Sequence, residues 1–160
     1  MGRRYDPAPE KFTAKAFIIA AQRDELSDLL ADYLSTEPWA NTGLRDGLAR
    51  APRWWQGPIR ARLDDLVPVH GPGLEYPADP TRWGERISCY ARSLTAPDAV
   101  PPLIVEWSDG ILKVRDGSHR LAAMRSINWS WCWTIIWSNN AQDDRALAGN
   151  DALMTPARFG

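Results

Sequence analysis

Cysteine is scarce in this chain of 160 residues. Cys89 and Cys132 are too few and too far apart for a disulfide framework or a four-cysteine zinc site. Each is read as a buried free thiol, and Cys132, between Trp131 and Trp133, as core packing. An excess of one charge sign is also missing. The 19 basic and 20 acidic residues leave a net charge of -1, which withholds the electrostatic footprint of a protein that coats nucleic acid. No apolar run approaches the roughly 20 residues that span a bilayer. Phe17-Ile18-Ile19-Ala20-Ala21 runs straight into Gln22-Arg23-Asp24-Glu25, so it is too short to be the apolar part of a secretion signal behind Arg3-Arg4. Asp6 stands where a myristoylation signal needs a hydroxyl. The chain is therefore expected to be cytoplasmic, with neither a membrane nor a nucleic-acid partner.

What is present suffices for one core. With 44% hydrophobic residues, a chain of this length hides roughly 70% of its extended surface on folding and needs no covalent staple. Tryptophan is the compositional oddity: nine in all, of which Trp129, Trp131, Trp133 and Trp137 lie close together. Such a cluster suits either a packed sheet edge or a binding face, with packing the simpler reading.

The first dozen residues are polar and proline-bearing, and are expected to be loose. Thr13 is a candidate N-cap, and Leu26, Leu29, Leu30, Tyr33 and Leu34 follow helical spacing, which predicts one helix over 14–35. Prolines and glycines then leave room for one short helix near Leu44 to Arg50, and residues 1–58 read as a helical N-terminal extension. The extension is expected to fold back over the core and wall one side of the nucleotide pocket considered below, or else to form a homodimer contact.

A domain over 59–138 should follow. Ile59, Ala61 and Leu63 alternate with Arg60 and Arg62 as in a half-buried strand, and a long loop runs to Pro77. Asp79 caps a helix that Pro80 opens and that ends near Leu94. Residues 101–107 and 111–115 read as strands joined by a hairpin at Ser108-Asp109-Gly110. A helix over 118–127 and a closing strand over 131–137, apolar on both faces, complete an α+β domain, and 139–160 read as a C-terminal tail.

Chemistry concentrates at Arg115-Asp116-Gly117-Ser118-His119-Arg120, where a strand stops, a glycine permits a tight turn and a helix begins. The first turn of a helix carries unpaired N–H groups and partial positive charge, so it favours an anion. Gly117, Ser118, His119 and Arg120 could thus form a phosphate cradle. An ordinary helix cap, with Ser118 as N-cap and Arg120 paired to a carboxylate, has the same signature. The residues alone leave both readings open.

Pro101-Pro102-Leu103-Ile104-Val105, Asp109-Gly110 and Val114-Arg115-Asp116-Gly117-Ser118-His119-Arg120-Leu121-Ala122-Ala123 together resemble the ParB/sulfiredoxin fold superfamily, whose signature is a strand, a hairpin and a D-G-x-H-R-x-x-A box opening a helix. Leu63-Asp64-Asp65-Leu66-Val67-Pro68 is similar to the family's first strand, so the resemblance covers roughly 58–138. It implies a small mixed-sheet domain that holds nucleotide phosphates at the box. Ser118 occupies the position of the sulfiredoxin cysteine, which argues against sulfinic-acid reduction. The box also lacks the arginine pair of chromosome-partition proteins, and the stretch after Trp137 is short for their DNA-binding domain.

The box is most similar to free-standing members such as free serine kinases. That resemblance implies ATP or another nucleotide and Mg2+-dependent phosphoryl transfer to a small hydroxylated substrate, or nucleotide hydrolysis. Asp116 would be the metal-binding acid, His119 would contact the transferring phosphoryl, and Glu75 would be the catalytic carboxylate, with Glu85 on the helix behind it and His70 as a substrate contact. Two alternatives stand beside this: a nucleotide-gated interaction module without turnover, meeting a protein partner or a second copy through the tryptophan-rich strand or the extension, and a DNA-associated nuclease or accessory factor.

Overall fold

The structure, a computed structural model, describes residues 10–149, so the expectations for residues 1–9 and 150–160 lie outside the described residues. Its helices are α1 (Ala14–Gln22), α2 (Leu26–Tyr33), α3 (Thr42–Ala49), α4 (Pro80–Ser93), α5 (Ser118–Ser126) and α6 (Ala141–Ala148). The strands are β1 (Trp54–Arg62), β2 (Leu66–Pro68), β3 (Leu103–Ser108), β4 (Ile111–Asp116) and β5 (Trp131–Ser138). They form one mixed sheet in the order β1-β5-β3-β4-β2. β1 runs antiparallel to β5, β5 parallel to β3, β3 antiparallel to β4, and β4 parallel to β2. The fold is α+β, as the pattern of elements implied. Among the described residues no helix is long and apolar enough to cross a membrane.

Both faces of the sheet are covered. On one, Leu103, Val105, Cys132 and Ile136 meet Leu121 and Met124 of α5 and Leu147 of α6. On the other, Ile104, Ile135 and Trp137 meet Phe17 of α1 and Leu26, Leu30 and Tyr33 of α2. The extension is therefore one wall of the core. Each such side chain, fully buried, contributes about 1.5–3 kcal/mol of transfer free energy, so α1 and α2 are held mainly by this contact.

The helix expected over 14–35 is broken. Asp24 takes a left-handed φ of 57°, Glu25 N donates to Ala20 O at 2.8 Å and Asp24 N to Ala21 O at 3.4 Å. This is a glycine-free Schellman stop, and aspartate tolerates that backbone better than most residues. The break lets α1 and α2 lie on the same sheet face. Nor is the start of the chain loose throughout, since Phe12 is fully buried among Phe17, Tyr33 and Trp39.

The strand expected over 59–63 begins earlier, at Trp54, and so crosses the expected boundary at 58. Gly57-Pro58 is not a break but an irregularity in the pairing with β5 between Gln56 and Ile59. β1 is an edge strand, where a proline lacking its N–H is tolerated. Gly57 has φ +116°, and a Cβ there would stand 2.8 Å from Thr134 O.

The stretch read as a C-terminal tail contains α6. Asn140 caps it, accepting from Asp143 N at 2.8 Å and donating to Asp143 Oδ2 at 3.0 Å. With Leu147 its one buried residue, α6 offers no apolar stripe to read. β2 lies inside the expected loop. The predicted hairpin is present, with Asp109 and Gly110 both at positive φ. Asp79 caps α4 by accepting from Arg82 N at 2.9 Å.

Candidate functional site

β4 ends at Asp116 at the side of the sheet where α5 begins. Gly117, at φ 102°, is the N-cap and makes the turn between them. A side chain there would run into Leu103 Cδ2 and stand 2.8 Å from Arg120 Nη2, so glycine is required sterically as well as conformationally. Above this turn lies a cavity of about 270 Å³. Its floor is Asp116 to Arg120; α4 contributes Arg86 and Tyr90, and Tyr33 and residues 38–41 close it from the extension. The extension thus walls one side of this cavity.

Four box residues do different jobs. Ser118 is 6% exposed and lines the cavity, and its hydroxyl has no hydrogen-bond partner among the described residues. The neighbouring N–H groups of the first turn of α5 have no intrahelical acceptor either. His119 packs against Trp83 with ring centroids 4.4 Å apart and against His70 at 5.4 Å, and its Nε2 is 3.4 Å from Arg86 Nη1.

Arg120 points elsewhere. It is 3% exposed, donates to Pro101 O at 2.7 Å and to Asp116 Oδ2 at 2.9 Å, and lies beneath Gly117. Its pKa is raised: burial alone would lower it, and the surrounding Tyr33, Asp116 and Tyr90 outweigh that. Tyr33, buried beside the pair, has its own pKa raised well above the usual 10.0, mainly by burial. Arg120 thus takes the structural role of the helix-cap reading, a cation paired to a carboxylate, while Ser118 fits the cradle.

Asp116 is equally engaged. Oδ2 accepts from Arg120, with Tyr33 Oη at 3.4 Å, and Oδ1 accepts from Asn41 Nδ2 at 3.2 Å. It is the sole carboxylate lining the cavity among the described residues. These hydrogen bonds leave lone pairs on both oxygens, but the pairing with Arg120 offsets the charge that would draw a cation such as Mg2+. Among the described residues no group of three His, Cys, Asp or Glu side chains could hold a metal ion. The metal-binding role expected of Asp116 would rest on this one carboxylate, already paired to Arg120.

Glu75 is exposed on the 71–76 turn and lines neither this cavity nor its neighbour. Glu85, by contrast, lines an adjoining cleft together with Trp83, Arg82 and Asp79. That cleft shares His70, Arg86 and His119 with the cavity, so the two adjoin at these side chains. Arg86 was not legible in the sequence as a site residue. It has no carboxylate partner among the described residues, and only the packing of α4 against α5 brings it to the box. The helical spacing of Arg82 and Arg86 was the one available signal. Tyr33 and Asn41 reach the site over long sequence separations that no local pattern reports.

The tryptophan-rich strand is interior. β5 is paired on both edges, and Trp133 and Trp137 are buried, Trp133 Nε1 donating to Asp98 Oδ1 at 2.7 Å. Packing accounts for these two residues. No protein-family model matches the chain, and no curated protein is similar enough to match it.

Proposed function

We propose that this chain is a nucleotide-binding protein that seats a phosphate of its ligand at the first turn of α5, against Ser118, His119 and Arg86. The observation that carries the reading is Ser118, a largely buried residue that lines the cavity beside open helix N–H groups, with the Arg86 guanidinium, which has no carboxylate partner among the described residues, lining the same cavity. Hydroxyl, N–H groups and Arg86 are all donors, and together they suit an anion. The resemblance of the box to nucleotide-binding domains supplies the ligand class. The adjoining cleft gives the rest of such a ligand somewhere to lie.

Binding without turnover is the form that the donor set supports best, because the carboxylate in the cavity is committed to Arg120. Phosphoryl transfer is a second reading, favoured by one observation. Glu85 lines the adjoining cleft with His70 and His119, where it could take the proton of an acceptor hydroxyl in the role expected of Glu75.

The test is a thermal-shift and calorimetry screen of AMP, ADP, ATP and CTP, with phosphate release followed in parallel. A true ligand at about 100 times its Kd adds about 2.7 kcal/mol of stability. Arg86→Ala removes a charge-assisted contact of about 1.5–3 kcal/mol, so affinity should fall roughly 10- to 150-fold. Absence of stabilisation by every nucleotide refutes the reading. Phosphate release that depends on Glu85 selects transfer over binding alone.

A further inference from the structure

We infer that the phosphate held at the α5 turn is a terminal, dianionic monoester, as in a nucleoside monophosphate, bound without a bridging divalent metal. This rests on the phosphate-binding reading of that turn and specifies its ligand. The argument is one of charge and donors.

Three guanidiniums and one carboxylate line the cavity: Arg86, Arg115, Arg120 and Asp116. Arg120 is 2.9 Å from Asp116, and Arg115 is 2.6 Å from Glu106, so each of these two cations is neutralised by its own acid. Arg86 remains, and the α5 N-terminus adds the equivalent of about half a positive charge. A phosphate monoester carries about -1.5 to -2 near neutral pH, which this field nearly balances. The further phosphates of a triphosphate would add negative charge that nothing in the cavity offsets. A divalent cation could offset it, but among the described residues the carboxylate that lines the cavity, Asp116, already has its charge offset by Arg120, and Glu85 lies in the adjoining cleft and not in the cavity.

Donor geometry agrees. Of the groups that line the cavity from the α5 turn and α4, the Ser118 hydroxyl, the first-turn N–H groups and Arg86 can all donate, which suits the three terminal oxygens of a monoester. The cavity volume of about 270 Å³ is at the small end for a ligand site and suits a phosphate head whose remainder extends past His70 and Trp83 into the adjoining cleft.

Calorimetric titration of the full chain with AMP and with ATP, each in EDTA and again with Mg2+, tests this. The expected result is an AMP Kd that agrees within about twofold between EDTA and Mg2+, and a Mg2+-ATP Kd at least about tenfold weaker than that of AMP. Ser118→Ala, a small change in a folded background, should weaken AMP by about fivefold or more in both conditions. AMP binding that requires Mg2+, or Mg2+-ATP binding tighter than AMP, overturns the inference and leaves the phosphate site standing. Failure of both nucleotides to bind under all conditions refutes the site itself, and the inference with it.

Discussion

Replacing Arg120 with methionine distinguishes a structural arginine from a phosphate ligand. The guanidinium is nearly fully buried and donates to Asp116 Oδ2 at 2.9 Å and Pro101 O at 2.7 Å. Removing it strands a carboxylate and a backbone carbonyl in the interior. Breaking a buried pair from one side costs about 3–5 kcal/mol. The side chain of Asp116 retains 13% exposure and still accepts from Asn41, so the lower end, about 3 kcal/mol, is appropriate. With a urea m-value of about 2 kcal/mol/M, the midpoint should fall by about 1.5 M. For a chain of this size the same loss lowers Tm by roughly 6–12 °C. Adding Asp116→Asn to Arg120→Met removes the stranded charge and should recover part of that stability, since losing both partners is far milder than losing one. Nucleotide affinity in the folded single variant should change far less than in Arg86→Ala. An unchanged urea midpoint together with abolished nucleotide binding would refute this reasoning and return Arg120 to the phosphate cradle.

Gly117→Ala forces a left-handed φ on an L-residue and drives its Cβ against Leu103 and Arg120, so a stability loss of about 2–5 kcal/mol is expected by thermal denaturation; wild-type stability would show that the turn can relax. Burial pushes the Cys132 thiol up to about 12, against the opposing charges of Arg120 and Arg125, while Cys89 is half-buried on α4. Alkylation of the folded chain near neutral pH should therefore label Cys89 and spare Cys132 until denaturant is added, and equal labelling of both by mass spectrometry would contradict the packing around β5. Burial alone would raise the carboxyl of Glu106, but hydrogen bonds from Asn139 and Arg115, and the charges of Arg115 and Lys113, hold it below the usual 4.5. A depressed folded-state value contributes stability above the unfolded value and loses it as pH falls through the folded one. Glu106→Gln should accordingly flatten the fall of Tm in acid below about pH 4.5, and parallel profiles for the two proteins would refute that assignment.

Elements with a local cause were legible in the chain. Asp79-Pro80 starts α4 because a capping carboxylate and a proline without N–H both suit a first turn. Asp109-Gly110 makes the hairpin because both residues accept positive φ. Asp116-Gly117-Ser118 ends a strand and opens a helix because glycine accepts the positive φ of the turn between them. Elements whose cause is distant were not legible. The stop at Asp24 is needed so that two helices cover one sheet face, β1 crosses Gly57-Pro58 because β5 lies alongside it, and α6 exists for the sake of Leu147. The same division runs through the site. Ser118 and His119 are placed by their own turn, so their position could be read from the chain. The inward rotation of Arg120, the clamping of Asp116 by Tyr33 and Asn41, the arrival of Arg86 and the exclusion of Glu75 were decided by tertiary structure, because hydrogen bonding and charge neutralisation among buried groups depend on partners that chain order does not specify.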